Sequence, residues 1–147
     1  MTRSQGSLLY VIKQLDAALR PRFADACAQQ GLTLAQYTAL TVLQRRPGIS
    51  SAELARRSFV RAQTMASTLD PLLSAGMVRR EADPSHLRRQ LLYVTERGTA
   101  IVDALSPRIE SLEALLVSDL SEDERLLFAD YLRRARTALH NDAPEAK

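Results

Sequence analysis

The chain has little of what most enzymes and secreted proteins depend on. It holds one cysteine, Cys27, in 147 residues. No internal disulfide can form, which removes the disulfide-stapled secreted scaffolds. Its two histidines, His86 and His140, stand far apart, and no group of side chains has metal-ligand spacing. With five glycines it forms no Gly-rich phosphate loop, and no G-x-S-x-G elbow occurs. No catalytic residue, metal or cofactor is therefore assigned, and an enzyme is not expected. No apolar run approaches the ~18 residues that a membrane span needs. The opening MTRSQGSLLYVIKQLD passes from a short apolar run into an amphipathic pattern without a small-residue cleavage site. That reads against a signal peptide and for a cytoplasmic protein. Lysine is scarce as well: Lys13 and Lys147 are the two, and every other base is arginine.

What the chain does have is ordinary globular composition, 46% hydrophobic and 25% charged, with an uneven charge distribution. The formal charge is +3, too little by itself to imply a polyanionic partner. Between Arg45 and Arg97, however, ten arginines face five acidic residues, while 103–130 holds eight acids and two bases. Arginine forks onto phosphates and guanine edges where lysine acts as a point charge. Genome base composition explains an arginine bias equally well.

Helix signals recur along the chain. Over 7–30, Leu8, Ile12, Leu15, Leu19, Phe23 and Cys27 repeat at helical spacing, with Pro21 predicting a bend and Gly31 in the C-cap position. Thr33 and Gln36 form a capping box that opens a second helix, stopped by Pro47-Gly48. Ser50 and Glu53 form another box, with Ile49 and Leu54 as a hydrophobic staple, for a short third helix ending near Phe59. A fourth begins near Arg61 or Ala62, buries Met65, Leu69 and Leu72, carries Pro71, and ends at Gly76. The proline predicts a kink or tightened turn over 67–70. Residues 77–81 and 91–95 read as short strands joined by Asp83-Pro84-Ser85 turn chemistry. Helices over 95–120 (with Pro107 predicting a kink) and from the Ser121/Glu124 box onward close the chain.

The expected fold is mainly α with a small two-stranded β-wing: a winged helix-turn-helix dimerised through its N- and C-terminal helices. The expected division is 1–32 as a dimerisation helix, 33–98 as the DNA-binding region and 99–147 as dimerisation helices and tail, all in one compact unit. The flanking helices keep apolar stripes too long for a core of this size, and a second copy is the simplest cover.

In a helix-turn-helix the second helix presents its N-terminal residues to base edges in the major groove. Here those are Arg61, Gln63, Thr64, Ser67 and Thr68. Glutamine can pair two-pronged with adenine and arginine with guanine, each worth ~1–3 kcal/mol of discrimination. Arg88 and Arg89 lie at or near the hairpin tip, where arginine can enter a narrow minor groove. Arg56, Arg57, Arg79 and Arg80 read as phosphate contacts. For each of these residues the alternative is a solvated surface side chain.

The wing DPSHLRRQLLYVTERG, with the helix-turn-helix before it, resembles the MarR family of bacterial transcriptional regulators, and the likeness covers nearly the whole chain. The family wing reads D-x-x-D-x-R, then a strand ending L-T-x-x-G. Asp83, Arg88, Thr95 and Gly98 match, and His86 replaces the second Asp. In the family that Asp pairs with the wing Arg, so wing stiffness here would follow pH if His86 titrates. Ser67 and Pro71 stand where the family commonly has Arg, so the operator sequence does not carry over. The resemblance implies a homodimer on pseudo-palindromic double-stranded DNA, released by a small aromatic or phenolic effector. Position in the family cleft makes Tyr10, Arg20, Phe23 and Tyr37 effector-pocket candidates; the alternative is plain core or interface. Some relatives sense oxidants through a cysteine near the start of the first helix. Cys27 lies at its end on the apolar face, which reads as a buried small hydrophobe. Three functions are carried forward: a ligand-responsive repressor, a winged-helix protein-interaction module without DNA readout, and an oxidant sensor using Cys27.

Overall fold

A computed structural model describes residues 7–142. In chain order the elements are α1 (Leu8–Ala28), α2 (Leu34–Arg45), β1 (Ile49–Ser50), α3 (Ser51–Arg57), α4 (Ala62–Ser74), β2 (Val78–Ala82), β3 (Gln90–Val94), α5 (Glu96–Leu116) and α6 (Glu122–Asn141). Two units divide between Ile109 and Glu110. The first holds the helix-turn-helix and the wing; the second holds the end of α5 and all of α6.

Capping chemistry sets most helix starts. The Thr33/Gln36 and Ser121/Glu124 boxes form in both directions. The Ser50/Glu53 box forms in one: Ser50 Oγ accepts from the Glu53 amide, but the Glu53 carboxylate turns instead to Arg56 and Arg57. The two guanidiniums compete successfully for the carboxylate expected to return to the cap backbone. Thr95 Oγ1 accepts from the Gly98 amide at 3.2 Å and donates to the Gly76 carbonyl at 2.6 Å. One hydroxyl thus caps α5 and ties it to the turn after α4.

Three helix ends close with the same pair of reversed hydrogen bonds, the Schellman pattern. After α1, Gly31 N–H donates to Ala28 and Leu32 N–H to Cys27. After α4, Gly76 donates to Leu73 and Met77 to Leu72. After α3, Phe59 donates to Arg56 and Val60 to Ala55. Gly31 and Gly76 supply the left-handed residue cheaply, while the third site holds Phe59 at φ 57°.

The sheet is one strand larger than the expected hairpin. β3 pairs antiparallel with β2, from Val78 opposite Val94 to Ala82 opposite Gln90, and with β1, Ile49 opposite Leu92. Ile49 and Ser50, read as staple and cap, also add this short edge strand, giving the order β1-β3-β2. The three prolines expected to bend helices sit inside helices that remain helical throughout: Pro21 in α1, Pro71 in α4 and Pro107 in α5. The expected bends therefore break none of them.

The core of the first unit gathers Cys27, Leu32, Leu40, Leu43, Leu54, Met65, Leu69, Leu72, Val78, Leu92 and Leu105. Burying one such side chain stabilises by ~1.5–3 kcal/mol. The predicted stripe of α4, Met65, Leu69 and Leu72, is buried as expected. The stripe of α1 splits. Its C-terminal end reaches the core through Phe23 and Cys27, whereas Leu8, Ile12 and Leu15 are exposed. On α6, Leu127, Tyr131 and Leu139 are exposed too.

Candidate nucleic-acid interface

Burying Met65, Leu69 and Leu72 forces the opposite face of α4 outward. Gln63, Thr64 and Ser67 are exposed on that face, and Thr68 is half-buried. Arg61 occupies the N-cap without a side-chain capping bond, leaving its exposed guanidinium to reach beyond the helix. Ser67 Oγ and Thr68 Oγ1 both donate to the Thr64 carbonyl at 2.9 Å. Their donors are thereby engaged, and what they offer outward is acceptor lone pairs. Pro71 lies a turn beyond these residues and has no N–H to return to the Ser67 carbonyl.

Arginines come to this face from three directions, in unequal states. Arg56 and Arg57, on α3, both pair with Glu53, Arg57 Nε at 2.7 Å from its carboxylate. Arg79, on β2, pairs with Glu81 at 2.6 Å and lies 4.4 Å over the Tyr93 ring. Arg79 thus has two partners on the sheet itself, an ion pair and a ring contact, before any phosphate is near. Arg61, Arg80, Arg88 and Arg89 are exposed and make no ion pair among the described residues. Arg80, Arg88 and Arg89 line one wall of an open groove of about 540 Å³ between α4 and the wing. Ser51, Ala52, Ala66, Leu69 and Asp70 contribute the other side.

The wing tip is a built loop. Asp83 Oδ1 accepts from the Ser85 amide at 2.9 Å and its hydroxyl at 2.7 Å. The Asp83 amide donates to the Arg89 carbonyl, closing the loop at its base. The Ser85 bonds hold the Asp83 carboxyl below the usual carboxylate range, with a lesser contribution from nearby positive charge on Arg89 and His86. The loop is thus braced by Asp83 and Ser85, and Leu87 at its tip is fully exposed.

The effector candidates do not form one cluster. Phe23 and Tyr37 meet edge to face, centroids 5.6 Å apart, and pack on the core. Arg20 lies one turn before Phe23, exposed, and forks onto Asp16 at 3.0 Å. Tyr10 is exposed thirteen residues before Phe23, ~20 Å along the helix, outside any small pocket built around that ring within one chain. Cys27 is buried in the core, and burial pushes its thiol up, away from the reactive thiolate. Among the described residues no group of acidic, cysteine or histidine side chains could hold a metal, and no helix is long and apolar enough to cross a membrane.

Two features of the interface had weak sequence signals. The Glu53 clamp was legible as acid–base spacing of three and four on one helix. Phe59 carries no turn signal, so its left-handed backbone shows only in the structure.

Comparison with known proteins agrees with this architecture. A family model described as MarR family matches residues 30–89. The HTH-type transcriptional repressor Rv2887 of Mycobacterium tuberculosis is 33% identical over 125 residues, 85% of this chain and 90% of that protein. Its crystal structure in complex with DNA superposes with a TM-score of 0.72 at 30% identity, covering 89% of this chain and 98% of that one. Its complex with salicylic acid gives 0.71 at 32%, covering 89% and 97%. A crystal structure of MarR gives 0.80 at 36%, covering 95% of each chain. The transcriptional regulator HosA of Escherichia coli O111:H- is 31% identical over 107 residues, 73% of this chain and 79% of that protein.

Proposed function

The chain belongs to the MarR family, whose relatives above are named transcriptional repressors and regulators, and from that premise we propose that it is a homodimeric, ligand-responsive repressor of transcription. Two copies place their α4 helices in successive major grooves of a pseudo-palindromic operator, one DNA turn or ~34 Å apart. The observation that carries this reading is the outward face of α4, with Gln63, Thr64 and Ser67 exposed and unpaired arginines at its start and on the wing. Gln63 and Arg61 read base edges; Arg80 and the Glu53-clamped pair Arg56 and Arg57 meet phosphates; Arg88 and Arg89 on the wing enter the minor groove.

The second copy covers the exposed apolar start of α1 and the apolar side chains of α6. On that arrangement 1–32 and 99–147 serve dimerisation and 33–98 serves DNA, as the charge distribution favours. The effector is a small aromatic acid. The salicylic acid complex of Rv2887 and the Phe23–Tyr37 pair support that class. Arg20 supplies the countercharge for a carboxylate once it leaves Asp16. Such a ligand releases DNA only by favouring the DNA-incompetent conformation, since equal affinity for both states shifts nothing.

The test is a salt titration of binding to duplex with Gln63→Ala and Arg61→Ala alongside the wild type. Log K should fall linearly with log salt, by roughly 0.9 per phosphate contact. Gln63→Ala should relax sequence preference while leaving that slope unchanged. A flat salt response with no preference for duplex would instead identify a protein-interaction module. Salicylate added to the complex should release the DNA.

A further inference from the structure

We propose that His86, at the wing, is a phosphate contact whose charge is set by pH, made to the sugar-phosphate strand that runs between the recognition helix α4 and the wing. This rests on the DNA-binding reading above and assigns a residue that the reading does not use. A helix in the major groove and a hairpin tip in the adjacent minor groove stand on either side of one backbone strand. In this chain the room for that strand is the open groove of about 540 Å³ between α4 and the wing. His86 lines it together with Arg80, Arg88 and Arg89.

The backbone of His86 is held in place. Its amide donates to the Asp83 carbonyl at 3.2 Å and its carbonyl accepts from the Arg89 amide at 3.0 Å, so two turns meet at this residue. Its side chain is exposed and makes no ion pair among the described residues. The loop is braced without the imidazole, through Asp83 and Ser85. The charged groups facing it across the groove are Asp70 from α4 and Arg80 from β2, with Arg88 and Arg89 beside it; Ser51 from α3 and Gln90 from β3 bring no charge. Asp83 is its charged neighbour in the loop, with a carboxyl that already accepts from Ser85. Three guanidiniums against one facing acid suit a polyanion. Histidine is the side chain whose charge ordinarily changes between pH 5 and 8. A phosphate beside the ring favours imidazolium over imidazole, so binding of duplex takes up a proton and strengthens as pH falls.

The experiment measures duplex affinity across a salt series, from about pH 8 down to about pH 5.5, for the wild type, His86→Gln and His86→Arg. On acidification at low salt, wild-type affinity should rise about three- to tenfold for each chain bound. The slope of log K against log salt should steepen by ~0.9 per chain, the mark of one further phosphate contact. His86→Gln should keep the wild-type alkaline values at every pH, and His86→Arg should stay near the acid ones. The other histidine, His140 on α6, is retained in both variants. A pH response that survives His86→Gln therefore belongs to another group and overturns the assignment. A wild-type affinity that is flat or falls on acidification overturns it as well. So does a rise without a steeper salt slope, which would mean that the ring acts on loop conformation instead of on phosphate. Each of these results leaves DNA binding intact. A wild-type chain that binds no duplex at any pH removes the underlying reading and this assignment together.

Discussion

Gly98 shows how a single atom can fix a residue type. A Cβ there would collide with the Met77 carbonyl oxygen and stand 2.7 Å from Val94 Cγ2, because α5 begins pressed against the turn and β3. Gly98→Ala should therefore destabilise the protein by about 1–3 kcal/mol in chemical denaturation, the usual cost of overpacking. At the wing, the Ser85 hydrogen bonds lower the Asp83 carboxyl relative to the unfolded chain. A depressed carboxyl contributes stability above its unfolded value and loses it as pH falls through the folded one. The wing loop should thus stay ordered through the ordinary carboxylate range near pH ~4 and loosen only below it. The Asp83 carboxyl resonance followed by NMR should titrate below that range, together with the Ser85 amide; a midpoint at the ordinary value would refute the bracing. Cys27 is buried with a raised thiol. Peroxide treatment should therefore leave DNA binding unchanged, in wild type and Cys27→Ala alike, as a mobility-shift assay would record.

Elements were legible where local chemistry decides them. The boxes at Thr33 and Ser121 formed as spaced, and Gly31 and Gly76 ended their helices. The α4 stripe and its outward polar face followed from helical periodicity alone. What stayed hidden needed partners distant in sequence. β1 exists because Ile49 meets Leu92, some forty residues away. Phe59 occupies a glycine geometry without a glycine signal. Glu53 was legible as a cap, but Arg56 and Arg57 win its carboxylate. That competition makes α3 a test element, because the charge clamping both arginines also offsets them electrostatically. Glu53→Gln should cost ~0.3–1 kcal/mol of stability through loss of an acid at a helix start. The same change should tighten binding to all duplexes severalfold at low salt, since two guanidiniums become available to phosphate. Weaker binding would mean that the clamp orients the arginines for DNA.

For the whole molecule, the part the sequence left least decided is how its apolar ends are covered. Leu8 at 81% and Leu9 at 78% exposure, with Ile12 beyond them, form the start of α1 in a single chain. If a second copy covers them as proposed, Leu9→Glu with Ile12→Glu should give a monomer in sedimentation where the wild type gives a dimer, and weaken binding to a paired site far more than to a half-site. The effector pocket was named from resemblance, and its members proved separable. Phe23 and Tyr37 touch, while Tyr10 belongs with the exposed start of α1. The most direct measurement of the account concerns spacing. Sites selected from fragmented genomic DNA should be inverted repeats with half-site centres ~10 base pairs apart. Inserting five base pairs between the halves turns one α4 to the wrong side of the duplex. Affinity should then fall to that of a single half-site, on the order of a hundredfold or more. Unchanged affinity after the insertion would contradict two recognition helices acting from one symmetric pair.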